Sequence, residues 1–169
     1  LGNGYAITAI LGNESVMDGA KKSFISSTFW TDRIGPSAAI KTLEVMEREK
    51  SWEEISFLGK KIFLIWKKMS KKHNIKINIS GLPSLAKFSF KSSNSQAYKT
   101  FVTQEMLKNK FLASNGVYLC TSHNERIFKK YSEHLDEIFY KISKCEKGNL
   151  KISNILKYPI SHTPFGRLN

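Results

Sequence analysis

Two hydrophobic periods run through the chain. Ile75, Ile77 and Ile79 alternate with Lys76, Asn78 and Ser80, the period of two that predicts a half-buried strand. Gly81-Leu82-Pro83 turns the chain, and Phe88 and Phe90 alternate with Lys87 and Ser89 in a second strand. Elsewhere the period is helical. Trp52, Ile55, Ile62, Ile65, Trp66 and Met69 form one stripe, with Lys60, Lys61, Lys67, Lys68, Lys71 and Lys72 mostly on the wet side. Ser51-Trp52-Glu53-Glu54 has capping-box spacing and starts that helix. Upstream, Gly35-Pro36 opens another, with Pro in the first turn, where its missing N–H does no harm, and Ala39, Leu43 and Met46 along one face. Tyr98, Phe101, Val102 and Met106 predict a helix near Ser95–Lys108. Ile127, Tyr131, Leu135, Ile138 and Ile142 predict a long one from about Asn124 to Lys144. On its outer side Glu137 pairs with Lys141, and Gly148 stops it. Short strands are expected at Ala6–Leu11, Phe111–Leu112 and Val117–Cys120, a loop from Asn13 to Thr28, and a final short helix. From about residue 36 onward this is an α+β domain, a small, largely antiparallel sheet covered by helices.

Composition narrows the class. Of 169 residues, 41% are apolar and 12% aromatic, enough for a real core, so general disorder is excluded. No apolar run approaches a membrane span, and no charged segment followed by an apolar one opens the chain. The chain starts at Leu1-Gly2-Asn3-Gly4, without Met and inside a turn pattern, which reads as a cut. The net charge of +13 invites a nucleic-acid or anionic-surface reading, and Ile55–Gln104 holds ten lysines and no acid. Yet 23 of the 27 basic residues are Lys, whereas phosphate and base-edge recognition favours the Arg fork. Much of the excess is ordinary helix surface. A basic α+β binding module stands as the rival reading.

Few residues carry chemistry on their own. His73, His123, His134 and His162 are scattered, none paired at i,i+4, and no metal site is expected. Two cysteines, Cys120 and Cys145, make no disulfide framework. Cys120 followed by His123 could place a nucleophile beside a base, but no third orienting group is visible, and a strand cysteine reads as a small buried hydrophobe. Ser26-Ser27-Thr28 clusters hydroxyls and backbone N–H groups in a loop, as a phosphate monoester requires; the plain alternative is a polar loop.

Taken together, the pieces resemble a family. Leu1-Gly2-Asn3-Gly4-Tyr5-Ala6-Ile7 and the block Phe24–Pro36 are similar to class III pyridoxal-phosphate (PLP) aminotransferases of fold type I, in the glutamate-1-semialdehyde aminotransferase/aminomutase-like branch. Gly81-Leu82-Pro83 and the tail His162–Arg167 also resemble that branch. The resemblance implies an α/β fold in which residues 1–35 end the PLP-binding large domain. Residues 36–169 would then be the interdomain helix and an α+β C-terminal small domain. It also implies a cytoplasmic homodimer with active sites shared between subunits, PLP as cofactor, and a small amino donor and carbonyl acceptor as substrates. Nucleic acid, membrane and metal play no part in it.

In the family the Schiff-base lysine lies just before the Leu-Gly-Asn-Gly turn, two residues upstream of Leu1, so no catalytic residue is expected within this chain and the chain alone should not turn over. Thr28 matches the threonine whose hydroxyl and N–H bind the phosphate of the neighbouring subunit's cofactor, and Ser27 matches the small residue before it. Phe24 stands where the aminomutases have Tyr and lacks that hydroxyl; Asn115 lies near the position of their loop Glu, whose absence favours amino transfer over the mutase reaction. Arg167 is a candidate for a substrate carboxylate, with a structural salt bridge as the alternative.

Overall fold

Strand alternation at residues 77–90 and helical periodicity on either side recur in the computed structural model, which describes residues 1–25 and 28–162. The elements in order are α1 (Glu14–Ala20), α2 (Ile34–Glu49), α3 (Ser51–His73), β1 (Ile77–Ser80), β2 (Leu85–Phe90), α4 (Ser95–Lys108), β3 (Gly116–Tyr118) and α5 (Glu125–Glu146), followed by a 3-10 turn at Ile152–Asn154. The chain divides into two compact units, Leu1–Ser51 and Trp52–Asn169.

In the second unit three antiparallel strands lie in the order β1-β2-β3, with Ile79 opposite Phe88 and Ala86 opposite Val117. Period two sorts β2: Ala86, Phe88 and Phe90 are buried, while Leu85, Lys87 and Ser89 are exposed. Onto the buried face pack Trp66 and Met69 of α3, Tyr98, Phe101 and Val102 of α4, and Leu135, Phe139 and Ile142 of α5. The rings of Phe88 and Phe90 meet edge to face at 5.4 Å, and Trp66 lies 4.8 Å from Phe88. Trp66 Nε1 donates to the Tyr131 hydroxyl at 2.9 Å. Lys61 pairs with Glu125, and Lys72 and His73 both meet Asp136 at 2.6 Å. Because these partners advance together along both helices, α3 and α5 run side by side in the same direction. Among the described residues no buried side-chain N or O atom lacks a partner.

Several expectations need correction. Ala6–Leu11 is no strand: among the described residues the three strands come from residues 77–118, this segment pairs with none of them, and Leu11 is 90% exposed. The loop from Asn13 contains α1, whose N-terminus the Asn13 side chain caps by accepting from the Val16 N–H at 3.1 Å. Phe111–Leu112 is likewise not extended pairing; the Phe111 N–H closes the end of α4 on Met106 O, and Leu112 is solvent-exposed. Trp52 and Leu43 are exposed rather than inward.

Lys141 bonds not to Glu137 but to Glu105 of α4, at 3.0 Å. Glu105 is buried, and a buried carboxylate must collect donors. Burial pushes its pKa up, but bonds from Lys108, Gln104 and Lys141 outweigh that and hold it at about 2, against 4.5 for a free glutamate. The unfolded chain therefore takes up this proton first as the pH falls. Glu105 contributes stability above about pH 4.5, and the contribution is lost as the pH drops toward 2. Urea midpoints at pH 6 and pH 3 should fall less for Glu105→Gln than for the parent chain; equal declines would remove Glu105 as a source of acid sensitivity.

A polar ladder on α4 also escaped the pattern. Gln104 donates to Ile155 O at 3.0 Å and accepts from the Lys157 N–H at 2.7 Å. Thr100 accepts from the Ser161 N–H at 3.0 Å, and Gln96 donates to Ser161 O at 2.7 Å. Spaced four apart, these side chains bind the segment after α5 along the helix.

Candidate cofactor site

In the first unit Gly2-Asn3-Gly4-Tyr5 forms a tight turn. The Tyr5 N–H donates to Gly2 O at 3.2 Å, with φ of 47° at Asn3 and 105° at Gly4. Two successive positive φ values define a type I′ turn, which Asn-Gly adopts with little strain. After the turn the chain passes the start of α2. A Cβ built on Gly35 would lie 2.7 Å from Ala6 O and 3.3 Å from Ile7 Cβ, so only hydrogen fits there.

Thr28 is exposed, at the beginning of the turn that leads into α2. The Asp32 N–H donates to Phe29 O at 3.2 Å, and Asp32 Oδ1 accepts from the Ile34 N–H at 2.8 Å. Asp32 thereby satisfies a donor that the helix leaves unpaired. Tyr5, Arg33, Ile34, Ser37 and Ala38 line an open cleft of about 470 Å³ with no acid in its wall. Thr28 and the Gly2–Tyr5 turn thus belong to one compact unit and flank the same helix start.

Ser27 and Arg167 lie outside the described residues. Phe24 is 96% exposed. Asn115 is committed to the sheet: its amide donates to Phe88 O at 2.7 Å, and its own carbonyl accepts from the Phe88 N–H at 2.9 Å. Cys120 is exposed beyond β3 and not buried, because β3 ends at Tyr118. His123 Nδ1 lies 3.3 Å from its sulfur but also accepts the Cys120 N–H at 3.0 Å, and the ring stacks on Phe128. That arrangement closes a turn. Cys145 is half-buried, and burial together with Glu146 pushes its thiol up. Among the described residues no cluster of His, Cys, Asp or Glu could hold a metal, and no helix is long and apolar enough to cross a membrane.

No protein-family model matches the chain. Over 150 residues it is 30% identical to 3-aminobutyryl-CoA aminotransferase of Cloacimonas acidaminovorans (strain Evry), covering 85% of this chain and 36% of that protein. It is 28% identical over 79 residues to the aminopentol aminotransferase of Sphingopyxis macrogoltabida, covering 47% of this chain and 19% of the relative. In fold it matches the PLP internal aldimine form of the FumI protein of Sphingopyxis sp. MTA144, with a TM-score of 0.70 and 19% identity over 92% of this chain and 38% of that one. The chain therefore spans little more than a third of the length of the first relative and of the solved structure. Along most of its length, in sequence and in fold, it is similar to one segment of the pyridoxal-phosphate-dependent aminotransferases.

Proposed function

We propose that this chain is part of a PLP-dependent aminotransferase, where it carries one phosphate-binding loop and the turn that follows the Schiff-base lysine. The observation that carries the reading is the match to an aminotransferase over 150 residues. The local geometry supports the reading: the Asn-Gly turn is formed, Thr28 is exposed, and the cleft at the start of α2 has a cation and no acid. PLP supplies a carbonyl to take up the amino group and a sink for the electron pair released at the amino carbon. This chain's residues bind and orient. Thr28, with Ser27 before it, hydrogen-bonds the phosphate of the neighbouring subunit's cofactor in a homodimer. Gly2, Asn3 and Gly4 hold the end of the strand that bears the lysine, which lies two residues before Leu1.

On this reading residues 1–35 close the large domain, and residues 36–169 form the interdomain helix and small domain of a cytoplasmic class III enzyme in the glutamate-1-semialdehyde aminotransferase-like branch. The substrates on this reading are a small-molecule amino donor and a keto or aldehyde acceptor; the two relatives are named as aminotransferases. Arg167 would receive a substrate carboxylate. The rival, a basic binding module, needs aromatics exposed beside the lysines. Trp66, Phe88 and Phe90 are buried, but Trp52 is exposed, as are Phe57 under Lys61 and Tyr140 under Lys144. It is the 150-residue match to an aminotransferase that favours the first reading.

Thr28→Ala in the complete protein should weaken PLP binding about tenfold, the loss of one hydrogen bond to a charged phosphate. A PLP titration followed by absorbance reads this directly. Unchanged affinity would remove Thr28 from the site.

A further inference from the structure

We propose that Gly35 is a positioning residue for the cofactor site: its missing side chain lets the strand-end turn seat against the helix that follows the phosphate loop. The inference rests on the function proposed above.

Gly35 is buried in the first turn of α2. Its backbone is helical, so no special φ calls for glycine, and a helical Gly costs up to about 1 kcal/mol relative to Ala, less near the end of a helix. The contact supplies the reason. A Cβ there would fall 2.7 Å from Ala6 O, a backbone atom that cannot rotate away. Gly2 is held by the same logic on the other side: its Cβ would lie 2.4 Å from Tyr5 O and 2.8 Å from Ile7 Cγ2.

A continuous path of contacts then links the two functional pieces. The turn directly after Thr28 closes through Phe29 O and the Asp32 N–H. Asp32 caps Ile34. Gly35, next in the helix, abuts Ala6, one residue beyond the Tyr5 N–H that closes the Gly2 turn. Adding a methyl at Gly35 must push Ala6–Ile7 away from the helix, and the turn moves with it relative to the phosphate loop. Small misplacements at a reacting group cost far more in orientation than in stability.

The test uses the complete protein. Gly35→Ala should weaken PLP binding about tenfold and shift or diminish the visible band that reports the lysine–cofactor link. Ile7→Ala removes the Cγ2 that packs at Gly2, loosening the seat of the turn beside α2 without crowding, and should do likewise to a smaller degree. Ile40→Ala, on the exposed face of α2, should change neither readout. If the parent protein binds PLP and both Gly35→Ala and Ile7→Ala keep its affinity and spectrum, Gly35 has no positioning role. If Gly35→Ala does not fold, Ile7→Ala decides alone. If the parent itself takes up no PLP, it is the functional reading that fails, along with this inference.

Discussion

Gly59→Ala should destabilise the second unit by about 3 kcal/mol or more, the upper range for forcing atoms into a packed interior. Gly59 is buried in the middle of the 23-residue helix α3. There a Cβ would lie 1.9 Å from Pro83 O, 2.3 Å from Pro83 C and 2.8 Å from Pro83 Cα. All three are backbone atoms of the connection between β1 and β2. That connection cannot easily retreat, because the Leu85 N–H donates to Leu82 O at 2.9 Å and Gly81 is held at φ 88° against Leu85 O. The sign of the change is diagnostic. Helix propensity alone would make the alanine about 1 kcal/mol more stable. Urea denaturation of the chain should therefore show a lower midpoint, and a raised one would mean that Pro83 does not sit on α3 as described.

Trp66→Ala is expected to be the most damaging truncation, about 3–5 kcal/mol. Trp66 has no exposed surface, and its removal empties the space between α3, α5 and the sheet. It also orphans Tyr131. That phenol is fully buried; burial pushes its pKa far up, and the Trp66 hydrogen bond pulls in the opposite direction. A buried hydroxyl with no partner adds its own penalty of about 1–3 kcal/mol. Since a domain of this size has about 5–15 kcal/mol in all, the variant should be largely unfolded at moderate temperature. The milder pair Trp66→Phe and Tyr131→Phe separates the two effects. A double-mutant cycle should give a coupling of about 1 kcal/mol, because the double variant leaves no orphaned group. Full additivity would mean that the 2.9 Å bond contributes nothing.

Legibility followed periodicity. The helices α3 and α5 were readable because a single apolar stripe faces one core, and β1 and β2 because their partners are joined by a short turn. Helix α4 was placed correctly, yet its buried Gln104 and Glu105 were invisible as core residues. Their satisfaction depends on Lys141 and on the backbone after α5, which lie far away in sequence. Ala6–Leu11 has the composition of a strand, but pairing is a property of two segments, and composition shows only one. For the site, Thr28 and Ser27 came from resemblance and not from hydroxyl clustering, which any polar loop can show. Gly35 in the sequence marks a helix start and lies in the block that carries the resemblance, but a glycine in a sequence does not name the carbonyl it touches.

A chain that carries the phosphate loop and the turn after the Schiff-base lysine belongs to a protein that takes on colour with PLP. The complete protein, titrated with PLP, should show a visible absorption band that disappears when the lysine two residues before Leu1 is replaced by alanine. A colourless parent protein, or a band that survives the replacement, would rule that assignment out.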